Sequence, residues 1–337
     1  MTRKLLFLLG LGALSPSAMA AGFQAKTMRE SLSAREVERP LLIGKGWLEF
    51  GVGVEMKNAT QYWSDEGEKI DFAPGSEWTY TTERLDIRYG FARRGELFWT
   101  VKTHYVHLTN ESLQTDIEQF GLGDPNFGLR YELFRSTATP MTSVIAYGDY
   151  KAPAANESPG NYVGGPSTFS AVVLTTGTPD VTVGLAAKKQ VGPAAVTLDA
   201  AYVRRMSGVV QYLIETELNQ FSGRIKPGDL VRVKGDLLLQ VGPVALNGGA
   251  TMTRRDETLI GNTSEGLFMS DNMFAVEGSD GVAIDGNAGA TFNITRGVDF
   301  IARASIPVKG EDLLFWPIED IHPTLGNTYS GTVEFRY

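Results

Sequence analysis

Apolar and polar residues alternate with period two along most of this chain, and the alternation is cleanest toward the C-terminus. Over residues 281–294, Val282, Ile284, Gly286, Ala288, Ala290, Phe292 and Ile294 share one face, while Asp285, Asn287, Thr291 and Asn293 share the other. That pattern is one long strand. A turn at Thr295-Arg296-Gly297 leads into Val298, Phe300, Ala302, Ala304, Ile306 and Val308, set against Asp299, Arg303, Ser305 and Lys309, so the two segments read as a hairpin. The final segment repeats the pattern, with Tyr329, Gly331, Val333, Phe335 and Tyr337 against Ser330, Thr332, Glu334 and Arg336.

The same test finds strands upstream. Val231, Val233, Gly235, Leu237 and Leu239 oppose Arg232, Lys234, Asp236 and Gln240, and after Gly242-Pro243 the chain returns through Leu246, Gly248, Ala250 and Met252. Gly192-Pro193 joins another such pair, Val181 to Ala187 by alternate residues and Val196 to Tyr202 likewise. In the first half, Leu48, Phe50, Val52, Val54 and Met56 oppose Glu49, Glu55 and Lys57, and Leu85, Ile87 and Tyr89 oppose Arg84, Asp86 and Arg88. Leu97, Trp99, Val101 and Tyr105 oppose Thr100, Lys102 and His104; Phe127, Leu129, Tyr131 and Leu133 oppose Asn126, Arg130 and Glu132. Residues 141–151 are less regular, with Ser143, Tyr147, Asp149 and Lys151 on the polar face.

About twelve strands of roughly 10 to 14 residues result, and a further crossing at 170–176 would raise the count toward fourteen. Short turns fall near 91–95, 135–140, 192–193, 242–243 and 295–297, and long polar connections near 58–77, 109–120, 152–178, 207–228, 259–280 and 311–325. Short and long alternate strictly, which collects all short turns at one end. A periplasmic β-sandwich or solenoid also alternates its strands, but nothing in it requires that sorting. The apolar faces named above carry no charge, and a basic residue at mid-bilayer costs about 2 to 4 kcal/mol. The pattern predicts an all-β fold, an antiparallel transmembrane β-barrel over 46–337, with short periplasmic turns and long extracellular loops in the outer membrane. Aromatic girdles are expected from Tyr89, Phe91, Trp99, Phe134, Phe335 and Tyr337 on the turn side, and from Trp78, Tyr80, Tyr105, Tyr150, Tyr202 and Tyr329 on the loop side.

The N-terminus agrees with export. Arg3 and Lys4, the apolar run over 5–14 and Ala18-Met19-Ala20 predict a cleaved signal peptide over residues 1–20. Residues 21–45 precede the first strand as a periplasmic segment, either a tail or a partial plug whose Arg29, Arg35 and Arg39 meet luminal acids. The chain has no cysteine, which excludes disulfides and thiolate chemistry. Its net charge of -8 without a basic block argues against nucleic acid. The 38 glycines, 12 tyrosines and 17 phenylalanines suit strands and tight turns.

The remaining chemistry is sparse. Three histidines, His104, His107 and His322, fall on different faces or loops, so no metal site and no cofactor is expected. A lipid hydrolase would need a serine and a histidine together on the lipid side; Ser143 is predicted inward, so no catalytic residue is assigned. The acidic loop Asp65-Glu66-Gly67-Glu68 lacks the ligand spacing of a calcium loop. The candidate functional residues are the charges expected to line the lumen: Glu49, Arg84, Asp86, Arg88, Lys102, Arg130, Glu132, Asp149, Lys151, Arg232, Lys234, Asp236, Asp285, Asp299, Arg303, Glu334 and Arg336. Mixed in sign, they either line a narrow pore or pair across it.

The segment from Tyr329 to Tyr337, alternating and ending on an aromatic, resembles the terminal strand by which barrel-insertion machinery recognises outer-membrane proteins. Gly121-Leu122-Gly123-Asp124-Pro125 with Gly128-Leu129-Arg130-Tyr131, then Tyr147-Gly148-Asp149-Tyr150-Lys151-Ala152-Pro153, then Gly177, Asp180-Val181 and Gly184-Leu185-Ala186 are similar to the phenol meta-degradation family of outer-membrane transporters. That resemblance spans roughly 80–310, departs at a long insertion over 156–178, and implies passage of small hydrophobic or aromatic compounds. The expected function is a passive channel for a small solute, with outer-membrane lipid and the insertion machinery as partners. The alternative is a non-conducting barrel acting as a structural or interaction protein that docks a periplasmic partner.

Overall fold

The computed structural model describes residues 33, 35–64, 66–110, 115–136, 141–153, 162–163, 177–214, 219–262, 273–275, 279–310 and 324–337. The signal-peptide expectation, Arg29, residues 170–176 and His322 lie outside these.

Twelve strands form the barrel: β1 Leu48–Ala59, β2 Ser76–Ala92, β3 Gly95–Asn110, β4 Asn126–Ser136, β5 Thr142–Lys151, β6 Asp180–Val191, β7 Ala194–Arg205, β8 Leu230–Val241, β9 Val244–Arg255, β10 Gly281–Thr295, β11 Val298–Gly310 and β12 Thr328–Arg336. Each pairs antiparallel with the next, and β12 pairs with β1 in the register Phe50↔Phe335 and Met56↔Tyr329, which closes the sheet. Closure satisfies every edge, a requirement for strands surrounded by hydrocarbon.

Local sequence explains the short turns. Val191 pairs with Ala194 and Val241 with Val244, leaving two-residue loops whose first members, Gly192 and Gly242, have φ of 60° and 59°. Such hairpin turns need positive φ at that place, which glycine adopts without a Cβ clash. Leu48 and Tyr337 exchange two backbone hydrogen bonds at the same end of the barrel. The outward rows are apolar and exposed, among them Val183, Leu185, Leu198, Leu237 and Val308.

Four expectations are corrected. Residues 115–120, placed within the polar connection over 109–120, belong to a strand, Thr115–Leu122, on the extracellular half of β3, with the register His104↔Gly121 and Asn110↔Thr115. The break before β4 falls at Gly123-Asp124-Pro125, where proline cannot donate to a ladder. The connection over 207–228 is a hairpin, Gly208–Ile214 with Asn219–Lys226, joined in a five-stranded sheet by Leu259–Asn262, Phe274–Ala275 and Tyr162–Val163. The connection over 58–77 contains Gln61–Trp63 and Lys69–Asp71, which form a three-stranded sheet with Thr324–Leu325. Tyr80 is not a girdle residue: it is buried, with its hydroxyl 2.6 Å from His104 Nδ1. On β2 the outward row passes from Leu85 to Glu83, whose carboxylate accepts from the Thr103 hydroxyl at 3.0 Å, so Tyr80 belongs to the inward row of Arg84 and Arg88.

A register shift between Glu132 and Phe134 leaves both Leu133 and Phe134 exposed on the outside. One added residue in a bulge has that effect.

Candidate functional site in the barrel lumen

The inward side chains separate into storeys along the barrel. At the turn end, Glu96 is the hub. It stands one residue into β3, is fully buried, and accepts from Arg88 at 2.7 Å, Arg130 at 3.0 Å and the Ile43 backbone N–H at 3.0 Å. Arg88 also reaches Glu49 at 2.6 Å, and Arg336 bonds Glu49, Asp299 and Glu334, the last at 2.7 Å. Arg130 additionally lies over the Phe98 ring, 4.6 Å from its centroid. Burying charges is costly unless partners are close and their remaining hydrogen bonds are satisfied. Here guanidinium groups with several donors each bridge neighbouring carboxylates, which suits arginine better than lysine.

Residues preceding β1 enter this storey. Arg39 pairs with Asp299 at 2.5 Å and with Glu36 at 2.9 Å in the 3₁₀ turn Glu36–Glu38. Lys188 on β6 donates to the carbonyls of Glu36 and Arg39 at 2.7 and 3.0 Å, and Arg88 donates to the Leu41 carbonyl at 3.0 Å. Leu42 is buried against Ile145 and Ala186, with Leu41 and Tyr147 beside them. Polar anchors on β2, β3, β6 and β11 thus surround one apolar contact on β5 and β6. Arg35, by contrast, pairs with Glu38 of its own segment at 2.7 Å.

Above this storey lies a cavity of about 260 Å³. Its charged lining comprises Arg84, Lys102, Lys234, Arg303 and Glu55, with His104, Asn247 and Asn287 among the neutral groups. Arg84 pairs with Asp86 at 2.7 Å and Lys234 with Asp236 at 2.9 Å. His104 stacks on Tyr80, with centroids 5.4 Å apart.

The loop end holds a third group. Lys151 pairs with Asp180 at 2.6 Å and approaches Asp124 at 3.7 Å, and all three are buried. Arg205 lies 4.0 Å from Asp180.

The remaining candidates are scattered among these groups. Glu132 binds Arg135 at 2.5 Å. Tyr147 donates to Asp199 at 2.9 Å within reach of Arg232, and Asp149 is in electrostatic contact with Arg232, Arg130 and Lys102. Asp285 interacts with Lys57. The structure therefore brings Glu49, Arg88, Arg130, Asp299, Glu334 and Arg336 together, and separately Arg84, Lys102, Lys234 and Arg303. His107 is apart from His104, on the outer face, 2.7 Å from Asp116.

Sequence reasoning missed Glu96, because it sits at the edge of a turn; its parity with Phe98 and Thr100 was the available signal. Arg39 was named only as a member of the N-terminal segment. Asp124 entered only as a member of the Gly121-Leu122-Gly123-Asp124-Pro125 motif.

Among solved structures, the COG4313 outer membrane channel from Pseudomonas putida F1 superposes with a TM-score of 0.64 at 13% identity, covering 87% of this chain and 96% of that one. The chain is a β-barrel of the bacterial outer membrane. The closed sheet, its exposed apolar rows and this likeness agree on the point. The NanC porin matches at a TM-score of 0.42 with 8% identity, covering 86% of this chain and 98% of that one. The β-domain of the Bordetella autotransporter Brka matches at 0.45 with 9% identity, covering 86% and 99%. No family model and no curated protein matches the chain, so the similarity to the phenol meta-degradation family rests on the short motifs quoted above.

Proposed function

We propose that this barrel is a passive channel admitting one small solute at a time, with its periplasmic mouth partly filled by residues 35–47. The observation that carries the reading is the mid-barrel cavity, whose walls come from a continuous arc of strands, β8 to β12 followed by β1, β2 and β3. Polar walls facing water inside a closed barrel are what a diffusive pathway requires. A volume of about 260 Å³ suits a single-ring compound, the class that the phenol meta-degradation resemblance implies. Transport of this kind needs no catalytic group and no cofactor.

The rival reading is a non-conducting barrel, and the periplasmic ion-pair network is the observation that favours it. Recording in planar bilayers separates the two. Folded full-length protein is expected to give small discrete currents, and a variant lacking residues 21–45 larger ones, because the anchors on Asp299, Glu96 and Arg88 are then vacant. Silence from both proteins, with heat-modifiable migration intact, would overturn the channel.

A further inference from the structure

We propose that the mid-barrel cavity is an anion subsite, and that the solute it takes is a small organic oxyanion, a carboxylate in the first instance. The inference deepens the channel reading, on which it depends for passage but not for binding.

Four cationic side chains and one carboxylate, Glu55, border the cavity. The sign is not inherited from composition, since the whole chain carries a net charge of -8. It is also distributed: Arg84 and Lys102 stand on β2 and β3, Arg303 on β11, three strands from β2, and Lys234 on β8, six strands from β2 and so across the lumen. The acids that offset them are local. Asp86 and Asp236 each sit two residues from the cation they bind, on the same strand, and neither borders the cavity.

Two placements suit an anion. Arg84 and Lys102 are direct cross-strand partners on the same face, which sets two cationic side chains next to each other on the cavity wall. Arg303 forms no ion pair with a described residue. Room is kept for it by Gly289, where a Cβ would come within 3.1 Å of Arg303 Cγ and 2.6 Å of Asn247 Oδ1. A guanidinium offers paired N–H donors matched to a carboxylate or phosphate edge. In a narrow cavity with low-dielectric walls, such charges raise the local concentration of anions.

Reversal potentials in a potassium chloride gradient test the sign of selectivity, with the variant lacking residues 21–45 as the open form. Chloride is expected to be preferred over potassium. Replacing Arg303→Gln and Lys102→Gln should reduce the anion-to-cation permeability ratio by about threefold or more per charge, the size expected of a unit charge a few Å from the path in water. Millimolar sodium benzoate should reduce the chloride current while benzyl alcohol does not; inorganic phosphate acting in place of benzoate would assign the subsite to phosphate instead of carboxylate. Cation preference, or a ratio unmoved by the paired substitution, would overturn the proposal and leave the channel standing. Calorimetric titration of detergent-folded full-length protein with benzoate keeps the test open if no current appears. Heat lost in the double variant then supports the subsite while the channel reading fails, and absence of heat from the parent protein refutes the subsite.

Discussion

At the residue scale, the N-terminal segment is held by a contact that only glycine permits. Gly90 on β2 donates to the Trp47 carbonyl at 2.9 Å and accepts from the Gly46 N–H at 2.6 Å. A Cβ at position 90 would lie 1.7 Å from the Gly44 carbonyl oxygen, an impossible approach to backbone. Gly44 and Gly46 themselves have φ of 85° and 81°, so the segment turns onto the strand through two left-handed residues. Gly90→Val should therefore displace residues 44–47 and raise the conductance of the full-length protein toward that of the variant lacking 21–45. Gly248→Ala, whose new Cβ would meet nothing closer than 3.9 Å, should leave the current unchanged. Bilayer recording of both, with migration on unheated gels as the folding control, checks this.

At the scale of the element, each strand has one row in lipid and one in water, and the rows respond oppositely to charge. On β7, Leu198 is 58% exposed on the outside, while its neighbour Thr197 faces inward between Lys188 and Asp236 in the cross-strand register. Leu198→Arg is expected to lower unfolding stability by about 2 to 4 kcal/mol, and Thr197→Arg by about 1 kcal/mol or less, in reversible urea unfolding from lipid vesicles. This parity was legible in the sequence wherever alternation ran unbroken, as over 281–308. Beyond the bilayer the signal weakens. Gly208–Ile214 reads Gly-Val-Val-Gln-Tyr-Leu-Ile, without alternation, and Thr115–Leu122 carries Asp116 and Glu118 on its outward row. Strands above the hydrocarbon need not keep a charge-free face, so composition made them resemble loops. Tyr80 was misplaced for the same reason: the outward row had already turned polar at Glu83, and proximity to the rim outweighed parity.

At the scale of the molecule, what the sequence left open is which inward charges meet. Parity places Glu49, Arg88, Asp299 and Arg336 on one face of their strands, but their association depends on β12 lying beside β1 and on Arg39 reaching 260 positions along the chain to Asp299. Closure is thus the step on which both fold and site depend. Nine cross-strand pairs from Glu49↔Arg336 to Lys57↔Thr328 make the seam. Without them β1 and β11 would each present a row of unpaired backbone groups to hydrocarbon, at several kcal/mol per group. Deleting residues 328–337 should therefore abolish the compact, heat-modifiable form in purified lipid. The ring of Tyr337 is separable from that seam. The residue's seam contacts with Leu48 are the backbone hydrogen bonds of 3.0 and 2.9 Å, which survive loss of the ring. Tyr337→Ala should therefore refold in vesicles like the parent protein, with heat-modifiable migration as the readout. Failure of Tyr337→Ala in purified lipid would place the ring in the seam itself.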